Sequence, residues 1–403
     1  MKVLQINCVY KKGSTGKIVY DIHKELQRVG IDSVVLYGRG KRIREENVYK
    51  VCPELYAKFN QLWARLCGVL YGGCFFSTRR VVSLIRKEKP DVVHLHCING
   101  YFVNIYRLIG WLKKNNIKTV ITLHAEFMHT ANCGYAFECD KWKSGCGRCP
   151  RNRTEIGSLL LDSTHASWKR MKKAFDGFDN VQLVSVSSWL MNRAKASPIL
   201  SAHKHAVVLN GVETQIFKRP QVVSSEPTIV PSGRKTVFHA TPSFTDDPNH
   251  NKGGYYLLKL AREPELANVQ FVVAGAHAPG LQVPSNVTLL GRVADQATLA
   301  RYYAEADATL LTSRRETFSM VTAESLCCGT PIVGFCAGAP EQICIEEYSS
   351  FVEYGDLAAL KLALLEVLEK DWDKDTVSRV AQEKYDKKKM FEQYLAHYRG
   401  ETA

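Results

Sequence analysis

The sequence predicts an α/β protein made of two successive βαβ domains with mostly parallel sheets. Its 403 residues exceed what one ordinary hydrophobic core accommodates, and 45% hydrophobic with 23% charged residues is an ordinary globular composition. Strand-like and helix-like patterns alternate along both halves, as expected of βαβ units. A stretch rich in Pro, Ser and Gly at 218–233 interrupts this alternation. We therefore expect domains at 1–210 and 211–375.

Nearly continuous runs of Val, Ile and Leu predict strands that are buried on both faces. Lys17–Val29 carries apolar residues on one helical face and ends at Gly30, so it predicts a helix. Thr376–Tyr398 is also helical in pattern, and we expect residues 376–403 to pack back on the first domain. The predicted strands are Val3–Asn7, Ser33–Tyr37, Asp91–His96, Lys118–His124, Val181–Ser187, Thr236–Ala240, Val269–Ala274, Val287–Leu290, Ala308–Thr312 and Ile332–Phe335.

Charge and targeting features suggest where the protein works. No apolar run reaches the roughly 18 residues that a membrane span needs, and the amino-terminal run lacks a small-residue cleavage site, so we expect a cytoplasmic protein. The thirteen cysteines are scattered through strand and helix patterns and are expected to be reduced. Residues 1–210 carry 34 Lys and Arg against 15 Asp and Glu, a net charge of +19, whereas the remainder carries −5. The basic half predicts an anionic partner, namely acidic lipid, a phosphorylated substrate or nucleic acid; the alternative is a solvated basic surface.

One glutamate lies where a helix should be apolar. Ser319 is a good N-cap and Gly329 a good C-terminal residue, so a helix is predicted between them. Glu324 falls near the centre of its apolar arc. An unpaired buried carboxylate is costly, so a polar group should meet Glu324.

A glycine-containing loop follows the first predicted strand and opens the first helix. Residues 12–16 read Lys-Gly-Ser-Thr-Gly, and a helix start of this kind offers backbone N–H groups to phosphate. The loop lacks the spacing of an ATPase P-loop, since Ile18 follows Lys17. Phosphate binding and a plain tight turn remain the alternatives for Gly13 and Gly16.

Glu316 and Glu324 form a Glu-x7-Glu pair followed by Gly-Thr-Pro-Ile-Val, and this segment resembles retaining glycosyltransferases of family four. The resemblance continues through "HLHCINGY" at 94–101, "TLHAEF" at 122–127, "VSVSSWL" at 184–190, "LNGVETQIF" at 209–217 and "NKGG" at 251–254. It is closest to members that build capsular or exopolysaccharide repeats. It implies the GT-B fold, two Rossmann-like domains facing an interdomain cleft, and transfer of a hexose from a nucleotide sugar to a glycan, expected to be lipid-linked, with retention.

The resemblance also implies roles for individual residues. Glu316 would lie near the transferred sugar, His124 would contact that sugar, and Glu324 would accept hydrogen bonds from the donor ribose. Lys252 would neutralise the departing diphosphate. The remaining donor contacts would come from the loop glycines and from backbone amides at the helix start: Gly13, Gly16, Phe318, Ser319 and Met320.

The chain departs from the family pattern at the phosphate clamp. Members usually carry an arginine shortly before the lysine, but none lies between Phe238 and Lys252. We expect Arg292, Arg314 or Arg315 to substitute. The pair at 246–247, Asp-Asp, is interpreted as turn chemistry, since GT-B enzymes use no catalytic metal and no cofactor for catalysis is expected.

Four cysteines form a second constellation with Cys-x5-Cys-x6-Cys-x2-Cys spacing: Cys133, Cys139, Cys146 and Cys149. Four thiolates can bind a tetrahedral structural zinc, and this glycine-containing loop with little core of its own would gain order from a metal. A redox-sensitive disulfide pair and four free thiols are the alternatives.

Two other functions compete with glycosyl transfer. A zinc-containing nucleic-acid-binding protein would use the cysteine loop and the basic half, but no recognition-helix pattern follows the cysteines, so no nucleic-acid partner is expected. A GT-B sugar-nucleotide epimerase would release nucleotide without an acceptor.

The segment "FNQLWARLCGVLYGGCFF" predicts an amphipathic helix. Phe59, Leu62, Trp63, Leu66 and Leu70 fall on one face, with basic residues at 58, 65, 79 and 80 beside it. The face either meets an anionic membrane, which would place the enzyme peripherally on the inner face of the plasma membrane, or packs on the domain core.

Overall fold

A computed structural model describes residues 1–220 and 233–401. The chain divides into two compact units, residues 1–209 with 391–403 and residues 210–390. Each unit is built around one sheet whose strands are all parallel. The predicted fold class, two Rossmann-like βαβ units, is confirmed. The expected linker at 218–233 falls largely outside the described residues.

The first unit has a seven-stranded sheet in the order β3-β2-β1-β4-β5-β6-β7. Its central strands are fully buried Val, Leu and Ile runs, which is why they form the middle of a sheet covered on both faces. Its strands are β1 (Lys2–Asn7), β2 (Asp32–Tyr37), β3 (Val48–Lys50), β4 (Val92–Leu95), β5 (Thr119–Leu123), β6 (Val181–Ser185) and β7 (Lys204–Val207). Its helices are α1 (Gly13–Arg28), α2 (Glu54–Cys67), α3 (Phe75–Glu88), α4 (Ile105–Lys114), α5 (Phe127–Thr130), α6 (Thr164–Phe175) and α7 (Ser188–Lys195), with a 3-10 turn at Lys141–Lys143.

The second unit has a six-stranded sheet in the order β10-β9-β8-β11-β12-β13. Its core packs side chains of the strands against those of the flanking helices, with Phe271, Leu310 and Leu364 fully buried. Its strands are β8 (Thr236–Phe244), β9 (Gln270–His277), β10 (Val287–Gly291), β11 (Ala308–Leu311), β12 (Ile332–Phe335) and β13 (Ser349–Val352). The helices are α8 (Gly254–Leu260), α9 (Gln296–Glu305), α10 (Met320–Cys327), α11 (Pro340–Ile343), α12 (Leu357–Glu369) and α13 (Lys374–Tyr385), with 3-10 turns at Pro264–Leu266 and Glu346–Tyr348. The last helix, α14 (Lys387–Arg399), begins in this unit and belongs to the first unit from residue 391 onward.

Strand order reverses once in each sheet, between β1 and β4 in the first unit and between β8 and β11 in the second. In open parallel sheets, ligands bind outside the carboxyl ends of the strands at such a reversal. The loop with Gly13 follows β1, and the segment with Glu316 follows β11. Both predicted loops therefore lie at the edge of the sheet where ligands are expected.

The carboxyl-terminal stretch differs from the prediction of one helix. The structure has two helices, α13 and α14, and only residues 391–403 belong to the first unit. In that unit the Tyr398 hydroxyl lies 2.6 Å from His94 Nδ1. In the second unit, Ser378 Oγ of α13 donates to the Cys327 carbonyl at 2.6 Å. This bond ties α13 to α10 within the second unit, whereas residues 391–403 belong to the first unit.

Candidate active site

The predicted capped helix is present as α10. Ser319 Oγ accepts a hydrogen bond from the Thr322 N–H at 3.2 Å, as an N-cap should. At the other end, Gly329 has a φ of +83°, and a Cβ there would lie 2.4 Å from the Lys374 carbonyl oxygen. Only glycine fits this position, so the predicted caps at both ends are confirmed.

Ser319 also has an unusual backbone conformation. Its φ is +90°, a region that side-chain-bearing residues rarely adopt. Such a residue costs on the order of 1–3 kcal/mol, and strain of this kind is concentrated at functional sites. The strained residue links Phe318, which is buried, to Met320 at the start of α10.

Glu324 borders a cavity of about 420 Å³ in the second unit. The cavity lies beside the carboxyl ends of β8 and β9, with side chains of α9 and α10 on its other wall. The Tyr303 hydroxyl lies 3.4 Å from Glu324 Oε2. Burial raises the pKa of Tyr303 well above its ordinary value, so this hydroxyl stays protonated and can donate to the carboxylate. Tyr303 is therefore the polar partner that the sequence predicted for Glu324, which also borders the cavity.

Arg292 lines the same cavity as Glu324. Arg292 is one of the three arginines predicted to replace the missing one, and its guanidinium can contact a ligand in this cavity. Arg314 lies instead over the ring of Tyr354, with 6.0 Å from its guanidinium carbon to the ring centroid.

Lys252 and Glu316 form an ion pair. Lys252 Nζ lies 2.5 Å from Glu316 Oε1, and the two side chains keep 24% and 13% of their surface exposed. Two residues that the sequence placed 64 positions apart are thus in direct contact. A ligand bound in this part of the unit would therefore contact a positive and a negative charge side by side.

The backbone around the pair is fixed by short contacts between two loops. The Arg314 N–H donates to the Asn251 carbonyl at 2.8 Å, and Asn251 Nδ2 donates to the Arg315 carbonyl at 3.1 Å. A Cβ at Gly253 would lie 2.0 Å from the Thr312 carbonyl oxygen, so only glycine permits this approach. The Gly253 of "NKGG" therefore serves to bring Lys252 against the segment that carries Glu316.

The glycine loop of the first unit forms the start of α1. Gly13 has a φ of +63° and is exposed, whereas Gly16 is buried and a Cβ there would lie 3.1 Å from Val9 Cγ2. Lys12 occupies the N-cap position without a side-chain cap. A helix start without a side-chain cap suits an anion, but the tight turn that the sequence left as the alternative is equally consistent with these contacts.

His124 directly follows β5 and is 9% exposed. Its ring Nε2 lies 3.2 Å from Nδ1 of His96. Burial lowers the pKa of His124 to about 4, so the imidazole is neutral at pH 7. A neutral ring at this strand end can exchange hydrogen bonds with hydroxyl groups but carries no charge.

Glu126 has a structural role that the sequence did not reveal. Its carboxylate is fully buried and accepts hydrogen bonds from the Arg193 guanidinium, from His129 and from the Ala136 N–H. Burial alone would raise the pKa of Glu126, but these donors, with His129 and Arg193 foremost, lower it below its usual value. Glu126 therefore anchors the cysteine-containing loop and is not placed to react.

The four cysteines line one small cavity of about 20 Å³. Trp142 of the loop that carries them is 1% exposed, its indole N–H donates to the Cys139 carbonyl, and its ring lies 4.9 Å from that of His129, so it packs against residues outside the loop. Most other residues of the loop are half-buried or exposed, in keeping with the expected small core. Within the described residues, no three His, Cys, Asp or Glu side chains are arranged to hold a metal ion.

The aspartate pair at 246–247 shows the turn chemistry that the sequence predicted. Asp247 accepts a hydrogen bond from the Asn249 N–H at 2.9 Å.

A structural zinc at these cysteines stays a prediction. Burial raises the pKa of Cys133 to about 12 and that of Cys146 to about 11, so binding would have to draw the sulfurs together and displace their protons. We expect native mass spectrometry to show one zinc per chain, lost in a Cys146→Ser, Cys149→Ser variant and kept in Cys336→Ser. A zinc-free active protein in which all four thiols react with an alkylating reagent would contradict it.

A second cavity, of about 680 Å³, lies at the opposite edge of the first sheet. It is bordered by the amino-terminal residues of β5, β6 and β7 and by the end of α14. Ligands of open parallel sheets bind at the carboxyl edge, so its larger volume does not make it the better candidate.

Two family models match the chain. One is described as Glycosyltransferase Family 4 and matches residues 15–216; the other, Glycosyl transferases group 1, matches residues 245–370. The Escherichia coli protein named "Putative colanic acid biosynthesis glycosyl transferase WcaC" is 21% identical over 359 residues, which are 85% of each chain.

Solved structures show the same fold. Sucrose-phosphate synthase from Thermosynechococcus elongatus has a TM-score of 0.67 at 15% identity, over 99% of this chain and 98% of that one. Anabaena HepE in complex with UDP-glucose has a TM-score of 0.63 at 14% identity, over 99% and 100%. The sheets and these matches define the class, a glycosyltransferase with the GT-B fold. The chain belongs to Glycosyltransferase Family 4.

Proposed function

We propose that this protein transfers a hexosyl residue from a nucleotide sugar to a growing, lipid-linked glycan, with retention of the anomeric configuration, in the assembly of a polysaccharide. The observation that carries the proposal lies in the second unit. A carboxylate, Glu324, borders a cavity at the carboxyl ends of β8 and β9, and the Lys252–Glu316 pair joins the segments that follow β8 and β11, the two strands at the strand-order reversal.

The cavity suits the nucleoside part of a donor. The carboxylate of Glu324 accepts from the two ribose hydroxyls, and the apolar side chains of Leu299 and Val321 border the space for the base. Arg292 provides a cation in the same cavity. These groups match a nucleoside diphosphate better than a free sugar.

The ion pair suits the reacting part of the donor. When the bond between the anomeric carbon and the diphosphate breaks, negative charge develops on the leaving oxygen, and the Lys252 ammonium stabilises it. Glu316 holds that ammonium in place. In this proposal its carboxylate also accepts a hydrogen bond from the sugar. The family resemblance also assigns His124 a contact with the sugar, in which it would serve as a neutral hydrogen-bonding group.

The relatives support a nucleotide-sugar donor and a polysaccharide product. HepE binds UDP-glucose, and the name of WcaC places it in colanic acid biosynthesis. A thermal-shift screen with UDP-, GDP- and ADP-sugars tests the donor class: one nucleotide series should stabilise the chain well above the others. Nucleotide release in the absence of acceptor would favour an epimerase, and binding to DNA or RNA that falls steeply with salt would favour the nucleic-acid alternative.

We further propose a cytoplasmic location with peripheral binding to an anionic membrane. Within the described residues, no helix is long and apolar enough to cross a bilayer. A lipid-linked acceptor would nevertheless require the enzyme to work beside a membrane, and the first unit has a surface suited to this.

The amphipathic helix predicted from the sequence turns its apolar side chains outward. Small or polar side chains, Ala57, Asn60 and Ala64, form the buried side of α2. Leu62 is 55% exposed and Trp63 41%, so packing of this face on the core, one of the two alternatives, is wrong for these residues. Only Leu70, beyond the end of the helix, is partly buried.

Two other segments extend this exposed surface. The Leu159 N–H donates to the Arg65 carbonyl at 2.7 Å, and the rings of Tyr56 and Phe76 lie 5.8 Å apart, so both segments adjoin α2. Ten of the thirteen exposed large hydrophobic side chains in the described residues lie here. We call these ten the apolar face: Leu55, Phe59, Leu62, Trp63, Leu66, Phe75, Phe76, Leu159, Leu160 and Leu161.

The basic residues around the apolar face favour an anionic lipid surface as its partner. From Leu55 to Lys87 the sequence holds six basic and no acidic residues. Each Lys or Arg near an anionic leaflet contributes about 1 kcal/mol. A large exposed apolar patch with a basic rim is typical of surfaces that bind the membrane interface.

We expect the protein to float with liposomes that contain anionic lipid and to stay unbound with neutral ones. Binding should fall sharply in about 0.5 M salt, where the Debye length is about 4 Å. Leu160→Asp should abolish flotation because it places a charge in the apolar face. Leu362→Asp is the matched control, since Leu362 is 59% exposed in the second unit.

Flotation that ignores lipid charge, or that Leu160→Asp leaves unchanged, would contradict this assignment. Self-association that Leu160→Asp abolishes, without any lipid binding, would instead identify the apolar face as a contact between copies of the chain.

A further inference from the structure

A parallel bridge beyond the ends of the strands joins the backbone of Glu316 to that of Gly338. The Glu316 N–H donates to the Ala337 carbonyl at 2.9 Å, and the Glu316 carbonyl accepts from the Ala339 N–H at 3.3 Å. Glu316 follows β11, and residues 337–339 follow β12, its neighbour in the sheet. Both backbone polar groups of Glu316 are therefore bound to the loop after β12.

The loop after β12 is held in turn by one carboxylate. Glu341, in the first turn of α11, accepts hydrogen bonds from the Ala337 N–H at 3.0 Å and from the Gly338 N–H at 2.8 and 3.1 Å. Ala337 is fully buried and Gly338 is buried as well. A buried donor left without its acceptor is costly, so loss of this carboxylate would force the loop to rearrange.

The side chain of Glu316 is held from another direction. Lys252 Nζ lies 2.5 Å from Glu316 Oε1, and Lys252 belongs to the segment after β8. Glu341 thus fixes the backbone that carries the Glu316 carboxylate, and Lys252 fixes the carboxylate itself. Such precision matters in a reacting centre, because a misplacement of about 1 Å can lower the rate about 100-fold.

We propose that Glu341 is a positioning residue, which acts on glycosyl transfer through residues 337–339 and the backbone of Glu316. Its effect on turnover rests on the proposed function, in which Glu316 lies at the transferred sugar, whereas its effect on the backbone does not. The cavity beside Glu324 is bordered by residues of β8, β9, α9 and α10, so binding of the nucleoside part should persist without Glu341.

Hydrogen exchange of the full-length chain, followed by NMR, tests the effect on the backbone. In the wild type, the amide protons of Glu316 and Gly338 should exchange slowly. In Glu341→Ala the amide of Glu316 should exchange much faster, whereas the amide of Thr309, which donates to the Pro331 carbonyl at 2.9 Å, should stay protected. Fast exchange at Glu316 in the wild type would overturn the proposal, even if the variant does not fold.

Steady-state kinetics and titration calorimetry test the effect on turnover. Glu341→Ala should lower kcat about 100-fold, with a much smaller change in the Kd for the nucleoside diphosphate. Glu346→Ala is the matched control and should leave kcat unchanged, because Glu346 is an exposed glutamate of the 3-10 turn that follows α11. A purely structural role of Glu341 would lower stability without separating kcat from Kd.

The double variant shows whether Glu341 acts through Glu316. In the Glu316→Gln background, Glu341→Ala should change kcat by no more than about twofold, because the carboxylate that it positions is gone. A loss as large as in the wild-type background would refute the proposal, as would equal kcat values for Glu341→Ala and Glu346→Ala. If the wild type transfers no sugar from a donor that it binds, the proposed function is wrong, and hydrogen exchange still decides whether Glu341 orders the backbone of Glu316.

Discussion

Glu324→Ala should lower the affinity for the nucleotide-sugar donor about 100-fold or more. The carboxylate is expected to accept from both ribose hydroxyls, and each hydrogen bond to a charged group contributes about 1.5 kcal/mol or more. Two of them amount to about 3 kcal/mol, and 1.4 kcal/mol corresponds to a factor of ten. Titration calorimetry with the nucleoside diphosphate measures the effect without requiring an acceptor.

The contact with Tyr303 supplies the control for this variant. Glu324→Ala removes the acceptor of the buried Tyr303 hydroxyl, so the free energy of unfolding should also fall by about 1 kcal/mol or more. Tyr303→Phe breaks the same contact and keeps the carboxylate, so its donor affinity should stay within a few-fold of the wild type. Equal donor affinity in Glu324→Ala and the wild type would refute the ribose contact.

Glu316→Gln should lower turnover about 100- to 1,000-fold and change donor affinity much less. Groups that act mainly on the developing charge of a transition state have effects of this size on kcat. Lys252→Met should differ, because loss of the ammonium weakens both binding of the diphosphate and its departure. Steady-state kinetics with both variants gives kcat and KM separately.

The ion pair offers a second interpretation of Glu316, which the double variant resolves. If Glu316 acts only by holding Lys252, the double change should cost no more than Lys252→Met alone, because Glu316 then has no effect once the ammonium is gone. If Glu316 also meets the sugar, the double variant should be slower than either single one. Equal losses in binding and turnover for Glu316→Gln would contradict a role in the transition state.

Much of the fold follows from local pattern. All ten predicted strands are present, and apart from the edge strand β10 their predicted residues are mostly buried apolar runs. The missed strands β3, β7 and β13 are short edge strands, three or four residues long, and every residue of β13 is only half-buried. Such strands owe their conformation to pairing with a neighbour, which periodicity does not show.

The site was predictable where one residue type implies one chemistry. A glutamate in the apolar arc of α10 required a polar partner, but nothing in the sequence pointed to Tyr303, which reads as an ordinary core aromatic residue. The link from Gln5 through His96 to His124 joins residues that are far apart in sequence, on β1 and directly after β4 and β5. Only the strand order brings them together, so sequence periodicity alone could not find it.

The exposure of the apolar face was likewise beyond the sequence. The five apolar residues predicted on one helical face are compatible with a buried helix or with a surface one. In the structure the opposite side of the helix, with Ala57, Asn60 and Ala64, is the buried one, so the apolar side chains face outward. Helical periodicity places both faces but does not say which one turns inward.

The central claim, retaining transfer from a nucleotide sugar, is tested most directly by the anomeric configuration of the product. The measurement is ¹H NMR of the glycan formed from an α-linked nucleotide sugar, in the series that the binding screen identifies, with the Glu316→Gln variant as the control. We expect an α-linked product from the wild type and almost none from the variant. A β-linked product would contradict retention, and nucleotide release without any glycosidic product would contradict transfer.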